Sequence, residues 1–160
     1  MAALVIGGTG MLQAATRWLI ERSSLTIIVA RRASGFAGQG AKILPVAADW
    51  SSPGFAGPVG AAIAAAGPID TALLWLHEPA PILPWLLPLI DGARIVLVLG
   101  SMDGCPTLPG TAGALTTVRL GSMTAAGGRR WLTHAEISAG AIAALQDGRS
   151  RIVGELARWS

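Results

Sequence analysis

The residues best suited to chemistry open the chain. Gly7, Gly8, Thr9, Gly10, Met11 and Leu12 follow the apolar run Ala3-Leu4-Val5-Ile6 and precede an amphipathic stretch. Gly7 and Gly10 allow a tight turn and a close approach to the backbone. A helix starting there would aim free N–H groups and the positive end of its dipole at an anion such as a pyrophosphate. Arg31 and Arg32 come directly after a second apolar run. A guanidinium makes paired, charge-assisted hydrogen bonds to phosphate, so the pair suits a phosphate monoester, with a solvated loop as the alternative. Asp49, ahead of Trp50, Ser51, Ser52 and Pro53, has the setting of an N-cap or Asx-turn. His77 and Ser101 each close another apolar run. An imidazole can exchange a proton and a hydroxyl can bind a substrate oxygen, whereas a structural hydrogen bond is the plainer role for both.

These residues need a scaffold that gathers them at one edge. Short runs rich in Val, Ile and Leu predict strands at Ala3–Ile6, Leu25–Ala30, Lys42–Val46, Thr71–Leu76, Arg94–Leu99, Leu115–Leu120 and Arg151–Gly154. Helices are expected over Met11–Arg22, Val59–Ala66 and Leu83–Ile90, and from a Thr133-His134-Ala135-Glu136 capping box to about Gln146. Alternation of this kind specifies a three-layer, doubly wound α/β Rossmann fold with a mainly parallel sheet of about seven strands. At 160 residues the expectation is one domain covering 1–160.

The strand, glycine turn, helix, strand and arginines together resemble the short-chain dehydrogenase/reductase superfamily, particularly its atypical members, along the whole chain. In the usual Gly-x-x-Gly-x-x-Gly pattern Gln13 takes the place of the third glycine. The resemblance implies a nicotinamide dinucleotide held by Gly7 to Leu12, Arg31, Arg32, Asp49 and His77. Arginine at the end of the second strand implies NADP(H) in preference to NAD(H). It also implies an oxidoreductase acting on an unidentified small molecule, with His77 and Ser101 as candidate catalytic residues. Against ordinary family catalysis, the sequence has no tyrosine, and its one lysine, Lys42, opens the predicted third strand. The 101–114 connection is too rich in glycine and proline for the long catalytic helix. A non-catalytic dinucleotide sensor, or a structural subunit keeping only the fold, is therefore the alternative.

Composition narrows the partners. A hydrophobic share of 52% against 13% charged suits a sheet covered on both faces, and a net charge of +3 is too small for nucleic acid. Cys105 has no disulfide partner, and one cysteine with two histidines offers no zinc spacing, so no metal is expected. Pro79–Ile90 is apolar but short and holds four prolines, which argues for a buried or subunit-facing segment rather than a membrane span. That segment makes a homodimer conceivable. The start of the chain lacks a positive region before its apolar run, so the expected location is cytoplasmic. Arg129 and Arg130, before Trp131, read either as contacts for a substrate anion or as a charged surface loop with an anchoring tryptophan.

Overall fold

The structure is a computed structural model that describes residues 1–33, 35, 42–101 and 115–156. In chain order its elements are β1 (Ala2–Ile6), α1 (Gln13–Arg22), β2 (Leu25–Ala30), β3 (Ile43–Ala47), α2 (Ala56–Ala66), β4 (Thr71–Trp75), α3 (Leu83–Leu86), β5 (Arg94–Leu99), β6 (Leu115–Leu120), β7 (Ser122–Ala125), β8 (Gly128–Trp131), α4 (His134–Asp147) and β9 (Arg151–Val153). A 3-10 turn, Leu87–Ile90, continues α3. Cys105 and most of the connection from β5 to β6 lie outside the described residues.

Seven strands form one parallel sheet in the order β3-β2-β1-β4-β5-β6-β9. This is the doubly wound Rossmann arrangement that the alternating pattern specifies. Val5 lies level with Ile28 on one side and Leu73 on the other. The chain winds outward from β1 in both directions, so the crossovers diverge between β1 and β4 and leave a crevice at the carboxyl ends of those strands.

Continuous apolar runs make these strands because helices cover both faces. Leu4, Ile6, Ile27, Val29 and Leu97 pack toward α2 and α3, whereas Val5, Leu73, Val96 and Val98 pack toward α1 and α4. The proline-rich segment joins the first of these cores: Ile82, Leu83, Leu86, Leu87 and Ile90 are all buried within the chain. Pro84 and Pro88 fall in the opening turns of their helical pieces, where a missing N–H breaks no bond. Packing inside the chain thus accounts for the apolarity of Pro79–Ile90. Among the described residues no helix is long and apolar enough to cross a membrane.

The two edges of the sheet differ. On β3, Lys42 accepts from Thr26 N–H at 2.7 Å and Ala48 donates to Ala30 at 3.1 Å. Even-numbered residues therefore face β2, and Pro45 turns outward, where it removes a donor from the exposed edge. The other edge, β9, contains no proline and carries the half-exposed Ile152.

Several boundaries depart from the sequence expectation, with α2 opening three residues early at Ala56. Helix α1 begins at Gln13 rather than Met11, since Met11 and Leu12 remain in the turn that Gln13 N–H closes onto Gly10 at 3.0 Å. Strand β3 is displaced by one residue. The stretch read as a loop around Arg129 is an antiparallel hairpin, β7 against β8, with Thr124 opposite Arg129.

The capping box on α4 is present as expected, with Glu136 N–H donating to Thr133 Oγ1 at 3.1 Å and Thr133 N–H to Glu136 Oε1 at 2.9 Å. Hydrogen bonds from Arg130, and then from Thr133 N–H, lower the Glu136 carboxyl from 4.5 to about 2. A carboxyl depressed in the folded chain stabilises it above its unfolded value and loses that contribution as pH falls toward the folded value. Replacing Glu136 with glutamine is therefore expected to lower the Tm at neutral pH. The gap to the wild type should close as pH drops from 4.5 toward 2, and a gap that stayed constant over that window would refute the pairing.

Candidate functional site

The glycine turn crosses the carboxyl end of β1 at the divergence point. Gly7 has φ +76°, and a Cβ there would lie 2.6 Å from the Trp75 carbonyl oxygen, so both conformation and space demand glycine. Gly8 provides the close helix contact: a Cβ would come within 2.3 Å of both Thr16 Oγ1 and Val5 Cγ1. Thr16 is fully buried and donates to the Gly8 carbonyl at 2.8 Å, tying α1 to the turn. Gln13 is exposed, so the tight packing a third glycine would serve is carried by Gly8 instead. At Gly10 a Cβ would meet nothing within 4 Å.

No side chain of its own caps α1. The buried Ser138 of α4 does so from across the fold, accepting from Ala15 N–H at 3.3 Å and donating to the Met11 carbonyl at 3.2 Å. Among the described residues, the N–H groups of Gly10, Met11 and Leu12 have no backbone acceptor. These are the donors that the start of α1 leaves without a backbone partner.

A cavity of about 580 Å³ opens beside this turn, lined by Gly7, Thr9, Arg31, Arg32, Trp50, Phe55, Trp75 and His77, among others. Both arginines are exposed and stand where β2 ends. The His77 ring lies 5.3 Å from Trp50 and 5.3 Å from Trp75, forming an aromatic wall. Asp49 is half-buried and lies between Ala48 and Trp50, which line the cavity, without lining it itself. Its carboxylate accepts from Ser51 Oγ at 2.7 Å and Ser51 N–H at 3.0 Å, the Asx-turn geometry the sequence allowed. Those bonds, with Arg31 nearby, hold its carboxyl below the ordinary value.

A second cavity, of about 490 Å³, shares Trp75 and His77 with the first and extends toward β6 and α4. His77, Ser101 and His134 all line it, as do Met11 and the exposed Trp131. Gly8, Gly10 and Leu12 line neither cavity, while Met11 reaches only the second. Arg129 and Arg130 also stand apart from both. Arg129 pairs with Glu155 at 3.5 Å, and Arg130 with Glu136 at 2.8 Å. Trp131 is 85% exposed, so it is not an anchor among the described residues.

Sequence reading missed Trp50, Trp75, His134 and Ser138. Topology held a signal for His134: a helix joining two parallel strands starts at their carboxyl edge, so the first residue of α4 had to stand on the same side as His77 and Ser101. For Ser138, a small polar residue inside a helix gave no such sign.

The class of protein this arrangement defines is a Rossmann-type α/β fold with its crevice at the strand-order reversal. Among solved structures it is similar to a 3-ketoacyl-(acyl-carrier-protein) reductase from Brucella melitensis complexed with NADH, at 17% identity, 96% coverage of each chain and a TM-score of 0.68. A protein from Beutenbergia cavernae assigned as an NAD(P)-dependent gluconate 5-dehydrogenase, with NADP at low occupancy, shows 16% identity, 96% and 94% coverage and a TM-score of 0.62. A short-chain dehydrogenase/reductase variant from Serratia marcescens shows 16% identity, 98% coverage of each chain and a TM-score of 0.61. The particular form of the fold is thus the one short-chain dehydrogenases and reductases have. No family model and no curated relative matches the sequence.

Proposed function

We propose that the protein is a single-domain, NADP(H)-binding protein of short-chain dehydrogenase/reductase type, and an oxidoreductase acting on a small molecule. The observation that carries this reading is the cavity at the β1/β4 divergence, walled by the glycine turn on one side and by Arg31 and Arg32 on the other. Its residues fit the group. Gly7 and Thr9, with the free donors leading into α1, would hold the pyrophosphate, and the arginines would hold the 2'-phosphate. The aromatic wall of Trp50 and His77 offers flat surfaces to a base. When bound, the nicotinamide supplies hydride chemistry. His77, Ser101 and His134 would bind and orient the substrate oxygen or pass it a proton from the second cavity.

The absence of any tyrosine favours one other reading, a nucleotide-binding module without turnover. Calorimetric titration of the cofactor-free chain with NADPH and NADH at constant salt tests the binding claim. Heat from NADPH alone supports it, and no heat from either nucleotide in a folded sample defeats it. Oxidation of bound NADPH coupled to product formation separates enzyme from module.

The open edge of β9, with Ile152 and Leu156 exposed beside it, supports a homodimer. Its mass in solution should double as concentration rises, and a single-chain mass at every concentration would exclude that pairing.

A further inference from the structure

We infer that the second cavity takes a small, uncharged, largely apolar molecule with one hydroxyl or carbonyl oxygen, such as an aromatic or alicyclic alcohol, aldehyde or ketone. The inference rests on the reading above that this is the substrate side. Met11, Leu120, Leu132 and Ile137 give the cavity apolar walls, and Trp75 and Trp131 add aromatic ones. None of the described residues lining it is Asp, Glu, Lys or Arg. The cations nearest in sequence already have partners: Arg119 donates to the Gly100 carbonyl at 3.1 Å. Arg130 donates to Glu136 and to the Trp131 carbonyl, and Arg129 pairs with Glu155. A carboxylate or phosphate entering here would lose water and meet no lysine or arginine among the described lining residues, which is costly, whereas a neutral ring would lose little.

Polar atoms are confined to one group of residues. His77 and Ser101 come from the carboxyl edge of the sheet and His134 from the first turn of α4, which is enough to hydrogen-bond a single oxygen. Trp131 supplies the remaining feature. Its indole lines the cavity yet is 85% exposed, a large flat surface that none of the described residues covers. Such a surface gains most by stacking on a planar or alicyclic ligand.

The test uses the full chain and three probes of one shape: 2-naphthylmethanol, 2-naphthoate and 2-naphthylmethylammonium. Binding is followed by the indole N–H signals in nitrogen-15 spectra, with the Trp131 signal identified by its loss in Trp131→Ala. The neutral alcohol is expected to bind roughly tenfold more tightly than either charged probe. It should shift the Trp131 signal, and its affinity should fall about fivefold in Trp131→Ala. The exposed position of Trp131 leaves the fold of that variant intact, which its Tm verifies. Equal or tighter binding of either ion would overturn the inference, as would full affinity in Trp131→Ala. NADPH titrated into the same samples reports separately on the dinucleotide reading, so each claim can fail without the other.

Discussion

Gly8→Ala should unfold far more readily than the wild type, while Gly10→Ala should keep its stability and lose affinity for NADPH. The contrast follows from what each added methyl would meet. At Gly8 it would lie 2.3 Å from Val5 and from Thr16 Oγ1, both on fully buried residues. Inserting a methyl into a filled core costs about 1–3 kcal/mol, and displacing Thr16 from the Gly8 carbonyl adds about 1 kcal/mol. At Gly10 the methyl would meet open space, and Gly10 is not among the glycines with positive φ. Stability there should change by no more than about 0.5 kcal/mol. If a pyrophosphate packs against this backbone, the methyl intrudes on it, and NADPH affinity should fall roughly tenfold. Chemical denaturation and calorimetry on both variants are the measurements. Unchanged NADPH affinity in a stable Gly10→Ala chain would remove the turn from the binding site.

The second large effect belongs to Arg31 and Arg32. The double replacement Arg31→Ala/Arg32→Ala is expected to weaken NADPH roughly a hundredfold, because charge-assisted hydrogen bonds to phosphate contribute about 1.5–3 kcal/mol each. NADH, which lacks the 2'-phosphate, should change little. Both residues are exposed, so the variant should fold as the wild type does. Constant salt matters because screening alone would weaken both nucleotides. Equal loss for NADPH and NADH would mean that the arginines provide only a general positive field.

Most of the scaffold was legible because its parallel strands are buried on both faces, and burial forces a continuous apolar run. Leu25–Ala30 and Arg94–Leu99 were readable to the residue. The β7–β8 hairpin was not. Its strands are mostly exposed and carry Ser, Thr, Gly and Arg, so no alternation of apolar and polar residues marks them. Trp131 misled for a related reason: a large indole after two arginines suggests an anchor, yet it points outward from an exposed strand. The glycine turn was legible as a motif, but the division of labour inside it was not. That Gly8 rather than the third position makes the tight contact depends on Thr16, a polar residue that the apolar stripe of α1 gave no reason to place in the core. Ser138, which caps α1 from another helix, was hidden because it acts across 123 residues of sequence.

Pro45 has a consequence for how copies of this chain can associate. Strands that pair through an edge need donors on both partners, and the outward proline on β3 withholds one at the middle of that strand. A β3 edge therefore cannot seat a β9 edge along its length, which is the head-to-tail contact that would repeat without limit. Joining the seven-stranded sheets edge to edge would then set β9 against β9, like with like, about a two-fold axis. Such a union uses up the β9 edge on each copy, so pairing between the seven-stranded sheets terminates at two chains.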